Sequence, residues 1–409
     1  MNKTNINFLK SKALLRMNFF TKKRVIVFPG ICISALLLLI MYSNWRFLKM
    51  NRTLFERRLA ASEPLVYQCC TPMNNSIRTN IFFLKTHKTA STTVQSVILK
   101  FAIMNSLDVM HVIYASYYSP FSDSSIDSKL VTPNNKYNVF AEHARYDSNI
   151  KLYQYPDTSM VTILRHPVKL FQSVYYFFRM DTTTGMTFEQ FLNMPVKPAS
   201  LTGFDSQKAY RGYNQMSVDL GFDLAQSKNT TAVTEFIAKI DREFDFVMIT
   251  EHMDESFVLL ANLMGWPLEY VASLKLNVRL PELDPYILTP RDELTILDLN
   301  QIDTQLYNHF LEKFQKCKRQ YGEDNLNRQV RQLQTINKSL KERCVAEEVT
   351  GFNKGKAERL GYVPKNRSDK ECIYSTELYL TRTTRKLQAN HLNKTYMNRN
   401  NKMWNNLLN

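Results

Sequence analysis

The segment Leu84–Thr93, LKTHKTASTT, places one mobile cation, Lys88, before four hydroxyls, Thr89, Ser91, Thr92 and Thr93, with Ala90 among them. This composition suits an anion. If a strand ends at Leu84 and a helix begins a few residues later, unpaired backbone N–H groups and the helix dipole converge on one point. The small side chains of Ala90 and Ser91 let the backbone approach a phosphate closely. Taken alone, the run also fits an ordinary N-capped helix, where Ser and Thr are common. It contains no glycine, so the GxxxxGK[ST] loop of ATP- and GTP-hydrolysing enzymes is absent. A second cluster, TILRHPVKLFQSVYYFF, sets Arg165 at the end of an apolar run and Ser173 eight residues later. A guanidinium can hold a phosphate through two bonds. Singly, Arg165 also reads as a structural arginine and Ser173 as a surface serine.

These side chains need strand ends to stand on. Ile81–Leu84, Tyr137–Ala141, Met160–Leu164 and Phe246–Ile249 are short apolar runs suited to buried parallel strands. Helical spacing follows three of them: Val94, Val97, Ile98 and Phe101; Leu170, Phe171, Val174, Tyr175 and Phe178; Phe257, Leu260 and Met264. Pro167 suits a first helical position. Strands alternating with amphipathic helices predict an α/β fold with a central, mostly parallel sheet flanked by helices. Ligands of such sheets bind beyond the C-terminal strand ends, where each run delivers a polar cluster. Residues 291–343 carry helical periodicity.

The formal net charge of +16 would usually point to a polyanion. Its distribution argues otherwise. Residues 1–24 hold seven Lys/Arg and no acid, and residues 353–409 hold twelve Lys/Arg against four acids. The middle of the chain is nearly neutral, so no nucleic-acid partner is expected.

Val25–Ser43 runs nineteen residues without a charge, close to what a hydrocarbon core of about 30 Å requires. Lys22, Lys23 and Arg24 precede it and orient the N-terminus to the cytosol. A cleaved signal peptide fits less well, because the run is long and no small-x-small site follows. The expected layout is a cytosolic tail over 1–24, a transmembrane signal anchor over 25–43, and a stem over 44–79. A lumenal domain over 80–345 and a poorly ordered basic, Asn-rich tail over 346–409 complete it. Six N-x-S/T sequons, at Asn51, Asn74, Asn229, Asn337, Asn366 and Asn393, fit a lumenal placement. Cys69, Cys70, Cys317, Cys344 and Cys372 could form one or two disulfides there, with pairing left open. No Cys/His spacing resembles a zinc site.

HKTASTT closely resembles the 5′-phosphosulfate loop of sulfotransferases that use 3′-phosphoadenylyl sulfate (PAPS), and Arg165 with Ser173 matches their Arg-x7-Ser pattern for the 3′-phosphate. EHMDESFVLLANLMGW at 251–266, LKLNVR at 274–279 and RGYNQMSVDLGFD at 211–223 further resemble the galactose 3-O-sulfotransferase family, which includes galactosylceramide sulfotransferase. The likeness runs from about residue 80 to 315. It implies a P-loop-like sulfotransferase fold, PAPS as donor, no required metal, and a galactose-terminated glycolipid or glycan as acceptor. It also implies a single-pass type II protein of the Golgi membrane; a homo-oligomer is compatible with it. By match, Lys88 contacts the departing phosphate, Thr89, Ala90, Ser91, Thr92 and Thr93 cradle the 5′-phosphate, and Arg165 and Ser173 take the 3′-phosphate. His166 and His252 depart from the family's common acidic and aromatic residues and leave the acceptor open. The uronosyl 2-O-sulfotransferases share a similar loop and are the nearest alternative.

Sulfuryl transfer needs a base for the attacking hydroxyl, and histidine suits neutral pH. His143, in AEHARY after the second strand, is the residue selected, because a histidine at that place is the base in the related 2-O-sulfotransferases. Glu142 competes, but adjacent strand residues face opposite ways. His87 reads as a loop histidine able to orient Lys88, while His111, His252 and His309 read as structural. Arg145 and Arg211 could add charge to the pocket or sit in salt bridges.

Overall fold

The computed structural model describes residues 76–113, 125–194, 212–276, 286–350, 360–377 and 380–392. Its elements run β1 (Ile81–Leu84), α1 (Ser91–Met104), β2 (Val139–Phe140), β3 (Ser159–Leu164), α2 (Pro167–Phe177), α3 (Met180–Thr184) and α4 (Phe188–Asn193). Then come α5 (Gln215–Asp219), α6 (Thr230–Glu243), β4 (Phe246–Ile249), α7 (Met253–Met264), α8 (Pro290–Leu299), α9 (Gln301–Tyr321) and α10 (Glu323–Cys344). A hairpin of β5 (Val345–Thr350) and β6 (Leu360–Pro364) follows, then α11 (Lys370–Thr376) and a helix over 380–392.

The sheet order is β2-β1-β3-β4, with every pair parallel. All residues of β1, β3 and β4 are buried, which is why IFFL and FVMI read as unbroken apolar runs and SMVTIL, with the buried polar Ser159 and Thr162, as a mostly apolar one. The α/β architecture with a parallel sheet agrees with the expectation. Three of the strands fall where the sequence puts them, within one residue. The second is shorter: only Val139–Phe140 pairs with β1, and Tyr137 instead bridges to Gln154. β2 lies at the edge of the four-stranded sheet, and on its other side Val139 makes a single parallel bridge to Val109.

Helix α1 is buried along most of its length, and α2 starts on Pro167 at its first position. The helical run after residue 290 resolves into α8, α9 and α10, with Gly322 at φ 89 marking the break between α9 and α10. A second, smaller cluster lies under the C-terminal elements, where Leu340, Cys344, Tyr362 and Cys372 meet Ala272, Leu274 and Leu276.

The expected signal anchor at 25–43 and the stem lie outside the described residues. Among the described residues no helix is long and apolar enough to cross a membrane. The expectation of a poorly ordered tail from 346 onward is corrected for 360–377 and 380–392, which are folded. Cys344 and Cys372 form a disulfide across 28 residues. Cys317 is also disulfide-bonded, with a partner outside the described residues. Leu380 joins the main core, so composition alone hid a docked segment behind its surface charges.

Candidate active site

The loop after β1 is held in shape by its own hydroxyls. Thr86 Oγ1 donates to the Ile163 carbonyl on β3 at 2.6 Å and lies 2.8 Å from Thr89 Oγ1. Ser91 Oγ donates to the Thr86 carbonyl at 2.7 Å, and Thr93 Oγ1 accepts from Leu276 N at 3.3 Å. Of the predicted cradle, Thr89, Ser91 and Thr93 are therefore buried and committed to building the loop, while Ala90 is exposed and Thr92 half-buried. What this loop offers to a ligand is therefore chiefly its backbone. Lys88 and Ala90 both take left-handed conformations, φ 60 and φ 58, without being glycine. Each costs on the order of 1 kcal/mol, and backbone of mixed hand is what turns N–H groups into a concave anion nest. Ala90 caps α1 without a side-chain bond, and the first turn of α1 holds no acid that would compete with a bound anion.

The second motif reaches the first. Arg165 Nη1 donates to the Lys88 carbonyl at 2.9 Å, so the guanidinium stands at the phosphate loop. Its backbone N–H is 3.3 Å from Met216 Sδ. Thr250, just past β4, ties the loop to the end of β3: its hydroxyl lies 2.8 Å from the Thr89 carbonyl and 2.9 Å from the Leu164 carbonyl, and its one proton can serve either. Lys88 Nζ lies 3.6 Å from the centroid of the Phe177 ring, at the C-terminal end of α2. Ser173 is half-buried on the same helix.

His143 meets His87 face to face, with ring centroids 4.2 Å apart. Burial, reinforced by His87 and Lys85, holds the His143 imidazole well below the ordinary histidine range, so it stays neutral. Beneath it, Lys85 donates to Gln95 Oε1 at 2.8 Å, and burial lowers its ammonium to about 8 against the opposing pull of Glu142. Glu142 itself points elsewhere. Its carboxylate binds His111 Nδ1 at 2.6 Å and Arg385 Nη2 at 3.3 Å. Glu142 and His143 thus face different neighbours, but strand alternation is not the cause, because β2 ends at Phe140 and both residues lie beyond it. His252 pairs with Glu255 and His309 with Asp241, in keeping with structural roles. Arg145 donates to the Phe222 carbonyl, and Arg211 lies outside the described residues.

Asp219 is the residue the sequence reasoning passed over. Its carboxylate accepts from His87 N at 2.6 Å and from His87 Nδ1 at 2.8 Å. Gln215 Nε2 adds a third bond at 3.0 Å. The short α5 that carries Asp219 is pinned from α9: Asp303 accepts from Met216 N, Ser217 N and Ser217 Oγ, and Asn214 Oδ1 accepts from Ile302 N and Asp303 N. Burial raises the Asp303 carboxyl to about 6 despite those bonds. Gly221 lets the chain leave α5: at φ 92, a Cβ there would stand 2.3 Å from the Tyr146 carbonyl oxygen. The sequence signal for Asp219 is its place in RGYNQMSVDLGFD, the stretch that carries family likeness.

A family model described as galactose-3-O-sulfotransferase matches residues 12–390, which extends the likeness well past residue 315 and over the docked C-terminal helix. Galactose-3-O-sulfotransferase 2 of Sus scrofa is 29% identical over 329 residues, covering 74% of this chain and 81% of that protein. Galactosylceramide sulfotransferase of Homo sapiens is 30% identical over 285 residues, 66% of this chain and 64% of the relative. Galactose-3-O-sulfotransferase 3 of Homo sapiens is 29% identical over 292 residues, 68% and 67%.

Proposed function

This chain belongs to the galactose-3-O-sulfotransferase family and is a carbohydrate sulfotransferase, and we propose that it moves the sulfuryl group of PAPS to the 3-hydroxyl of a β-galactose on a glycolipid or glycoprotein glycan. The observation that carries this reading is the bond from Arg165 to the Lys88 carbonyl, which joins the two phosphate motifs in one site. A nucleotide with phosphates at both its 3′ and 5′ positions needs two such cationic grips.

In the reaction, the galactose oxygen attacks sulfur in line with the oxygen bridging to phosphate. Positioning and charge stabilisation supply the rate, as in phosphoryl transfer. Lys88 neutralises charge growing on the departing phosphate, and Arg165 and Ser173 hold the 3′-phosphate. A histidine of the stacked pair His87 and His143 takes the hydroxyl proton. The lumenal, type II Golgi placement with a signal anchor over 25–43 belongs to the same proposal; the Cys344–Cys372 disulfide supports an oxidising compartment.

Full-length protein in detergent, given labelled PAPS and a panel of β-galactosides and uronosyl polymers, tests the reading. Label on the galactose 3-hydroxyl is expected. Label on uronosyl residues alone would make the chain a 2-O-sulfotransferase. Adenosine 3′,5′-bisphosphate should raise the melting temperature where ATP does not.

A further inference from the structure

We propose that His87, held by Asp219, is the group that accepts the proton of the attacking hydroxyl, with His143 stacked beside it as a neutral support. The inference rests on the sulfuryl-transfer reading above and deepens it.

A carboxylate has no proton to give, so the 2.8 Å contact to Asp219 Oδ1 requires the proton on His87 Nδ1. The lone pair is then on Nε2, which is the arrangement a general base needs. The second bond, from His87 N to Asp219 Oδ2, fixes the residue at both its backbone and its ring. The carboxylate cannot swing away. Gln215 binds it, Tyr146 N donates to the Asp219 carbonyl, and Asp303 anchors the helix beneath it.

His87 adjoins Lys88 in the chain, so base and leaving-group cation share one loop. In-line displacement needs a base near the entering oxygen and a cation near the departing one, and neighbouring residues of a turn can straddle the sulfur between them. Four groups bear on the His87 ring: Asp219 at its edge, His143 on its face, Lys88 next in the chain, and Phe178 with a ring centroid 6.3 Å away. Lys85 lies behind His143.

His143 suits a supporting part. Its Nδ1 is closed off from solvent, and the ring hydrogen-bonds to the Lys85 backbone. Burial and nearby cations make it a weak base. That property serves a partner well. When His87 becomes an imidazolium, it faces a neutral ring instead of a second charge.

The step balances as follows. The hydroxyl proton passes to His87 Nε2, and the oxygen lone pair forms the new S–O bond. The old S–O bond breaks and its electrons leave on adenosine 3′,5′-bisphosphate. The proton on His87 then goes to water, and Asp219 stabilises the cation meanwhile.

Full-length wild type, His87→Asn, Asp219→Asn and His143→Phe are compared with PAPS and the best acceptor of the galactoside panel. His87→Asn should lower kcat by about 10³-fold with the bisphosphate Kd within about threefold, since a positioned base is worth roughly 10²–10⁴. Asp219→Asn should lower kcat by about 10²-fold. It should also move the acid limb of kcat/KM to lower pH, because loss of the carboxylate weakens His87 as a base; a merely structural Asp219 would leave the limb in place. His143→Phe keeps a stacked ring and should lose less than His87→Asn. A His87→Asn enzyme within about tenfold of wild type, an unmoved limb, or a larger loss for His143→Phe overturns the proposal. In each of those outcomes wild-type transfer still supports the sulfotransferase reading, whereas wild type that transfers nothing overturns both.

Discussion

Two histidine–carboxylate pairs lie on opposite sides of the second strand's end, and they differ in access rather than in chemistry. His87 and Asp219 meet at 2.8 Å with side chains 17% and 7% exposed. His111 and Glu142 meet at 2.6 Å with side chains 0% and 1% exposed. The second pair is sealed, and its His111 Nε2 is buried with no hydrogen-bond partner among the described residues. It can exchange a proton with nothing that diffuses. The first pair keeps one face of the same arrangement within reach of the phosphate loop. A carboxylate next to an imidazole is therefore no sign of catalysis by itself. What separates the two is whether the second ring nitrogen can meet a substrate.

Substitutions can break this contrast, and the largest effect should come from outside both pairs. Lys88→Ala removes the cation at the leaving phosphate and should lower turnover by about 10³-fold, with little change in melting temperature. Near-normal turnover in a sulfate-transfer assay would take the lysine out of the mechanism and leave the open pair without a partner for its proton transfer. Next, Glu142→Ala in the sealed pair should destabilise the fold by about 3–5 kcal/mol, because Arg385 and His111 lose their buried carboxylate. Urea unfolding reads this directly. Activity per folded molecule should stay within about threefold, and a larger loss would mean that the sealed pair reaches the chemistry after all.

A pH titration sharpens the contrast further. The fold lowers the His143 pKa well below 6.5, so the native state binds fewer protons there than the unfolded chain. Stability from this group is complete above 6.5 and falls as pH drops below that value, by up to about 1.4 kcal/mol per pH unit. His143→Phe should flatten that acid decline in unfolding experiments between pH 5 and pH 7. An unchanged slope would contradict the burial argument. The smallest effect is expected for Phe177→Leu, which removes the ring under Lys88 at a cost of about 1 kcal/mol. A few-fold fall in kcat should result, and an increase would mean that the ring holds Lys88 back from the phosphate.

The sheet was legible because its strands are buried on both faces, so that IFFL and FVMI carry the signal without any partner. The phosphate loop and Arg165 were legible for a related reason: each follows a strand directly, and local order fixes where it stands. Asp219 was not legible. It is 132 residues from His87 in sequence, and no local periodicity reports a contact at that distance. The cradle's hydroxyls were read as ligand groups because Ser and Thr suit phosphate. In the structure Thr86 collects two of them on its own carbonyl, a choice that depends on the exact turn of the loop. The C-terminal helix was missed because its surface charges set the composition while a few residues, Leu380, Thr384 and Gln388 among them, supply the burial.

That helix has a consequence for the order in which the protein is made. Thr381 lies 3.3 Å from Gln95 across 286 residues, and Gln388 binds Val109 across 279. Arg385 closes onto Glu142 across 243. These contacts join residues 95–142 to residues 381–388, so the backing of the Lys88 loop waits until that distant segment has been synthesised. The sheet can assemble as its strands emerge, but the contacts to Gln95, Val109 and Glu142 close only after residues 381–388 have followed. Contacts of such long separation are slow to form. A polypeptide that stops at residue 346 lacks Arg385 and so leaves the buried His111 and Glu142 without that cover.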